Sequence, residues 1–188
     1  MGAPVEFTRR ALTVEDFHRM AEAGVLRPDE RVELIEGELL SMAPIGGRHF
    51  NAVNRLTELL VTAVDSTAVV SVQGPVVLKP TSEPQPDLLL LRAECRGRPV
   101  LPGPESVLLA IEVSDTTQRF DRTVKAPLYA RYGIPELWIV DVEGQVLLRH
   151  LDPSGEGYRT ITEHRAPACV AARLLPAARV ELATLFVS

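Results

Sequence analysis

The sequence predicts a single α/β (α+β) domain over residues 1–188, a mixed sheet flanked by helices with an N-terminal helix and a β-hairpin added to it. Three observations carry this. Two runs, Leu88 to Leu91 and Val107 to Val113, are apolar almost without interruption. Strands buried on one face alternate in polarity, whereas strands covered on both faces do not, so these two belong at the centre of a sheet. A helical segment and a further apolar run, Leu137 to Val140, come next, the order expected of a right-handed crossover between parallel strands. Composition agrees: 46% hydrophobic and 24% charged residues in a chain of 188 suit one globular domain with a sizeable core.

From the N-terminus, Thr13 to Ala23 reads as an amphipathic helix capped by Thr13 and stopped by Gly24. Two apolar runs then flank Glu36-Gly37, a hairpin signal, and Ala43-Pro44-Ile45-Gly46-Gly47 reads as a flexible turn. His49 to Val64 is helical, with Ala52, Val53, Leu56, Leu59, Leu60 and Ala63 on one face. Two strands are expected next, Ala68 to Val72 and Pro75 to Leu78. The Pro-, Gly- and Arg-rich stretch between the two apolar runs reads as an exposed loop. Asp121 to Tyr132 is a helix candidate interrupted by Pro127. A proline inside a helix costs about 3 kcal/mol, so either the regular helix begins near it or the first turn is distorted. Val146 to Leu151, Tyr158 to Ile161 and Val180 to Val187 read as peripheral strands and a short closing helix.

Several function classes are disfavoured. The apolar runs are only a few residues long, against about 20 for a membrane helix, and the N-terminus lacks a basic stretch followed by an apolar one, so neither membrane insertion nor a signal peptide is expected. Cys95 and Cys169 belong to no metal-binding spacing and read as free thiols of a cytoplasmic protein. A net charge of −5 and a pI near 5.4 argue against a protein that coats nucleic acid, but not against an enzyme with a local basic cleft.

The chemistry lies in acids set against apolar strands. Asp87 follows Pro86 at the mouth of the first run, and Glu112 lies inside the second, on the same side as Ala110. A carboxylate in a central strand needs a partner or a metal, because its desolvation is costly. If the two strands are neighbours, two carboxylates converge at one end of the sheet, a donor set suited to Mg²⁺, with Mn²⁺ able to substitute. Lys125, thirteen residues beyond Glu112, is the candidate to stabilise charge beside such a metal. Tyr129, four residues further on, shares its helix face.

The order of Pro86-Asp87, then Glu112-Val113-Ser114, then a helix resembles the PD-(D/E)XK nucleases. More specifically, ELIEGELLSMAP, the helix opening with His49, QPDLLLL, LLAIEVS, FDRTVK, LYARYGIPELWIVD and LLPAARVELATLF resemble the Uma family of putative restriction endonucleases, from about Leu12 to Phe186. The resemblance implies a restriction-endonuclease-like core, Asp87 and Glu112 as metal ligands, Lys125 as catalytic lysine and DNA as substrate. Ser114 stands where the plain superfamily motif has its lysine, which the resemblance moves to Lys125.

Other residues keep two readings each. His49 points into the site or packs at its helix start. Gln85 touches a metal-bound water or satisfies backbone. A supporting acid is sought among Glu33, Glu36 and Glu38, with Glu36 itself read as a turn residue. Trp138 reads as core. Two functions of different class are weighed: a Mg²⁺-dependent endonuclease, and a non-catalytic binding or assembly protein on the same fold. A homodimer is expected on the general ground that symmetric dimers are the commonest oligomers.

Overall fold

The computed structural model describes residues 9–27, 29–42, 44–115 and 117–187. Residues 1–8 of the N-terminal stretch 1–17, which bears on the absence of a signal peptide, lie outside them, as does Ala43 of the expected turn. The chain divides into two compact units, Met1–Ala43 with Val77–Pro84, and Pro44–Val76 with Gln85–Ser188.

The smaller unit contains α1 (Val14–Glu22) and the antiparallel hairpin of β1 (Val32–Ile35) and β2 (Glu38–Ser41). Thr13 and Asp16 form a reciprocal capping box at the start of α1, each side chain satisfying an N–H that the first helical turn leaves unpaired. Glu36 and Gly37 both take positive φ, 51° and 84°, as a two-residue hairpin turn requires. Val14, Phe17, Val32 and Leu34 form its core. Glu83 runs antiparallel to Leu34, is buried, and meets His18 Nε2 at 2.7 Å.

The larger unit is a six-stranded mixed sheet in the order β3-β4-β5-β6-β7-β8. Its strands are β3 (Ala68–Val72), β4 (Leu88–Arg92), β5 (Val107–Ser114), β6 (Glu136–Asp141), β7 (Val146–Ser154) and β8 (Gly157–His164). Only β5 and β6 pair in parallel, joined by the helical segment that the strand–helix–strand pattern anticipates. Every residue of β5 is buried, which is why its sequence shows no alternation. Leu109, Ile111 and Val113 of β5 share a core with Leu56 and Leu60 of α2 (Gly47–Val64), and with Trp138. Each such fully buried side chain contributes about 1.5–3 kcal/mol. Ala110, Glu112 and Ser114 alternate onto the opposite face. A separate antiparallel pair, β9 (Cys169–Ala171) and β10 (Arg179–Glu181), precedes the short α5 (Leu182–Leu185).

Two expectations need correction. Pro75 to Leu78 forms no strand: Leu78 makes an isolated bridge to Ser82. Pro75 has no N–H to give a ladder, and burial of Val76 and Leu78 accounts for the apolar pattern instead. The helix expected from Asp121 to Tyr132 is two pieces, a π-helical turn (Asp121–Lys125) and α4 (Ala126–Arg131), with a further short α3 (Gln118–Phe120) before them. Ala126 N–H bonds to Asp121 C=O, five residues back. Pro127 cannot supply an N–H to the carbonyl four residues back, and its ring crowds that carbonyl, so the turn before it widens. Both sequence alternatives therefore hold: the first turn is distorted, and the regular helix resumes at Ala126.

Candidate active site

The two acids of the apolar strands meet at one end of the sheet of the larger unit. Leu88 of β4 faces Ile111 of β5. Extending that antiparallel register by one residue sets Asp87 across from Glu112, and residues directly opposite share a face. Asp87 is fixed from two sides: its carbonyl accepts the Gln73 N–H at 2.9 Å, and its Oδ2 accepts the Val113 N–H at 2.8 Å. The carboxylate thus replaces a ladder acceptor just where β4 begins. Both acids are buried, Asp87 to 7% and Glu112 to 3% exposure.

His49 reaches this point from α2. Its Nε2 lies 3.0 Å from each Asp87 oxygen, while its buried Nδ1 has no hydrogen-bond partner among the described residues. The first turn of α2 is tied to the end of β5 by Arg48, whose guanidinium lies 2.8 Å from Asp115. Of its two sequence readings, His49 follows the one that points into the site.

Glu112 is met from the helical side. Lys125 Nζ lies 3.1 Å from Glu112 Oε1, and the Tyr129 hydroxyl donates to the same oxygen at 2.6 Å. Lys125 is 5% exposed and Tyr129 wholly buried. Thr123 turns outward and donates to the Arg119 carbonyl. The shared face expected of Lys125 and Tyr129 is therefore present despite Pro127, because the widened turn ends before α4 begins.

A third acid went unassigned in the sequence. Asp121 is 3% exposed, and its Oδ2 accepts hydrogen bonds from Ser114 Oγ at 2.6 Å and Thr117 Oγ1 at 2.7 Å. Burial pushes its carboxyl above the usual range, opposed by the Ser114 bond, the Lys125 charge and the Thr117 bond, and reinforced by the charge of Asp87. The signal was present in the four-residue spacing of Asp121, Lys125 and Tyr129, which puts the acid on the face that packs inward.

Gln85 is half-buried beside Pro86. Glu33 is buried in β1 of the smaller unit. As to a metal, Asp87 and Glu112 supply the hard oxygen donors that Mg²⁺ takes, and Mg²⁺ needs only one or two protein carboxylates because it keeps several waters. The pair fits that donor set. A cage of three or more His, Cys, Asp or Glu ligands is not present among the described residues.

Comparison with known proteins agrees with this arrangement at the level of family and fold. Residues 14–183 match the model of the Uma2 family, described as "Putative restriction endonuclease". The fold is similar to that in a crystal structure of a putative nuclease belonging to DUF820 from Anabaena variabilis, with a TM-score of 0.72 at 14% sequence identity, over 93% of this chain and 97% of that one. No curated protein matches the chain.

Proposed function

The chain belongs to the Uma2 family, and from that premise we propose that it is a Mg²⁺-dependent endodeoxyribonuclease of the PD-(D/E)XK kind, with Asp87 and Glu112 as metal ligands and Lys125 as the catalytic lysine. The observation that carries the reading is that the buried carboxylates of Asp87 and Glu112 lie across from each other at the end of the sheet, beside the turn that carries the buried Asp121 and Lys125. Desolvated carboxylates set close together favour a cation between them.

A divalent cation bound there supplies Lewis-acid polarisation of a phosphodiester and an acidified water. The chain's own residues do the rest. His49 and the Val113 N–H fix the Asp87 carboxylate, and Tyr129 fixes Glu112. Lys125 places a positive charge where negative charge develops on the phosphoryl oxygens, a fixed electrostatic contribution that needs no reorganisation during reaction.

One observation favours the alternative, a non-catalytic binding protein on this fold. Glu112 Oε1 is already engaged by Lys125 and Tyr129, and a metal must compete with that pairing. Calorimetric titration of Mn²⁺ into wild type, Asp87→Ala and Glu112→Ala, with folding checked by circular dichroism, separates the two. Binding in wild type that is lost in both variants is the expected result. Equal binding in all three would remove the assignment, and a wild type that neither binds Mn²⁺ nor cleaves DNA would leave the non-catalytic reading.

The proposal includes a homodimer in the cytoplasm. Cys95 and Cys169 are free thiols, in keeping with a reducing compartment, and among the described residues no helix is long and apolar enough to cross a membrane. β8 is an edge of the sheet, and edge strands are templates for pairing. Laid antiparallel to itself about the exposed Ile161, β8 sets Arg159 against Glu163 and Thr160 against Thr162. Light scattering is expected to find a dimer that Arg159→Glu dissociates and the added change Glu163→Arg restores; a monomer at every concentration would refute it.

A further inference from the structure

Two departures from the plain nuclease motif, Ser114 and Pro127, lead to one device. Ser114 lies two residues beyond Glu112 on the same face of β5, at the position where the plain motif carries its lysine. It is fully buried, and its hydroxyl spans to Asp121, the first residue of the π turn. Lys125 is the last residue of that turn.

We propose that Asp121 is a positioning residue: held by Ser114 and Thr117, it fastens the π turn to the end of β5 and so keeps Lys125 on Glu112. The inference rests on the nuclease reading for its effect on rate, but the placement of Lys125 stands on geometry alone.

Asp121 is anchored through three groups. Its carboxylate takes the two hydroxyl bonds, its N–H donates to the Thr117 carbonyl at 3.0 Å, and its carbonyl accepts the Ala126 N–H that closes the widened turn. A turn opened in this way lacks the regular i→i−4 ladder and depends on outside anchors for its shape. Lysine is a long side chain with much rotamer freedom, so a small shift of the turn moves its ammonium far. The 3.1 Å approach of Lys125 to Glu112 therefore depends on where the turn is pinned, and the Ser114–Asp121 bond is the pin that joins it to the strand carrying Glu112. A hydroxyl–carboxylate bond is also short and charge-assisted, among the stronger anchors available to a side chain.

The chain has only two lysines, Lys79 and Lys125, and Lys79 is exposed, with 66% of its side-chain surface accessible. This makes a direct readout possible. Reductive methylation followed by peptide mass spectrometry gives the rate at Lys125 relative to Lys79, which serves as the internal reference. In wild type Lys125 is expected to react at least about tenfold more slowly than Lys79, since a buried group meets reagent only when the structure opens locally. Ser114→Ala and Asp121→Ala are expected to raise the relative rate at Lys125 several-fold with thermal unfolding still cooperative. Asp121→Asn, whose amide oxygen accepts the same two hydroxyl bonds, is expected to keep Lys125 shielded. In Mg²⁺-dependent cleavage of plasmid DNA, Ser114→Ala and Asp121→Ala are expected to lower kcat about 10- to 100-fold, the range for partners that orient a catalytic group, with KM little changed. The Asn variant should stay nearer to wild type.

Unchanged shielding of Lys125 in both alanine variants would overturn the proposal. So would Asp121→Asn exposing Lys125 as fully as Asp121→Ala, because the charge and not the hydroxyl bonds would then be the anchor. A wild type that cuts no DNA while the methylation pattern follows expectation would sink the nuclease reading and leave the positioning role intact.

Discussion

Both ends of the sheet in the larger unit bury carboxylates, and they treat them differently. At the start of β6, Glu136 is wholly buried. Its Oε1 accepts the indole N–H of Trp138 and the Arg149 Nε, each at 2.7 Å, and its Oε2 accepts the Arg173 backbone N–H at 2.6 Å. One negative charge is answered by one guanidinium and two neutral donors. At the opposite end, Asp87, Glu112 and Asp121 are all buried, Lys125 pairs with Glu112, and His49 lies beside Asp87. A buried acid with a matched partner set explains itself as structure. Buried acids set close together are costly to the fold, and such cost concentrates where a site must take up a ligand.

The largest expected effect tests that contrast directly. Asp87→Ala or Glu112→Ala should lower Mg²⁺-dependent cleavage by roughly 10³-fold or more, equivalent to about 4 kcal/mol of transition-state stabilisation, and Asp87→Ala should leave thermal stability near that of wild type. Glu136→Ala should do the reverse. It strands the Arg149 guanidinium, the Trp138 N–H and the Arg173 N–H, and breaking a buried pair costs about 3–5 kcal/mol; Arg149 keeps 21% of its side-chain surface in solvent, which argues for the lower figure. Urea unfolding of the three variants measures it. A Glu136→Ala protein as stable as wild type, or an Asp87→Ala protein that unfolds, would erase the distinction between the two ends.

The same contrast marks what could be read from the chain. The central strands, the crossover and the hairpin were legible because each leaves a local pattern: unbroken apolar runs in β4 and β5, and the turn pair Glu36-Gly37. Asp87, Glu112 and Lys125 stood out as charges in apolar settings, and the structure groups them. Asp121 carried only the four-residue spacing to Lys125 as a signal, because its partners, Ser114 and Thr117, are defined by the fold of the connection after β5. Glu136 escaped for a similar reason: its guanidinium partner lies on β7 and its third donor is a backbone N–H near residue 173. The strand expected at Pro75 to Leu78 failed because burial alone produces an apolar pattern, and periodicity over four residues does not separate a strand from a buried extended loop.

The smallest expected effects are pH dependences of opposite sign at the two ends. Asp121 has its carboxyl raised, by burial first, above the usual 3.8. The folded state therefore holds that proton more tightly than the unfolded chain, so the stabilisation is full below 3.8 and is lost as pH rises through the higher folded value. Asp121→Asn should gain stability relative to wild type at neutral pH and lose that advantage below pH 3.8. His150, paired with Leu137 across β6 and β7 and set edge-on to the Tyr158 ring, is shifted the other way. Burial first, then the charge of Arg122, lowers it below the usual 6.5, against hydrogen bonds that the ring makes to the backbone at Leu148 and Leu137. The folded state holds this proton less tightly than the unfolded chain, so its contribution is full above 6.5 and is lost as pH falls. His150→Gln should flatten the decline in Tm between neutral pH and about pH 5. Thermal melts of both variants from neutral pH to below pH 3.8 measure the two slopes together. Slopes of the same sign would mean that burial and charge do not divide between the ends of the sheet in this way, whereas opposite slopes would show that the site end is the one strained by its own negative charge.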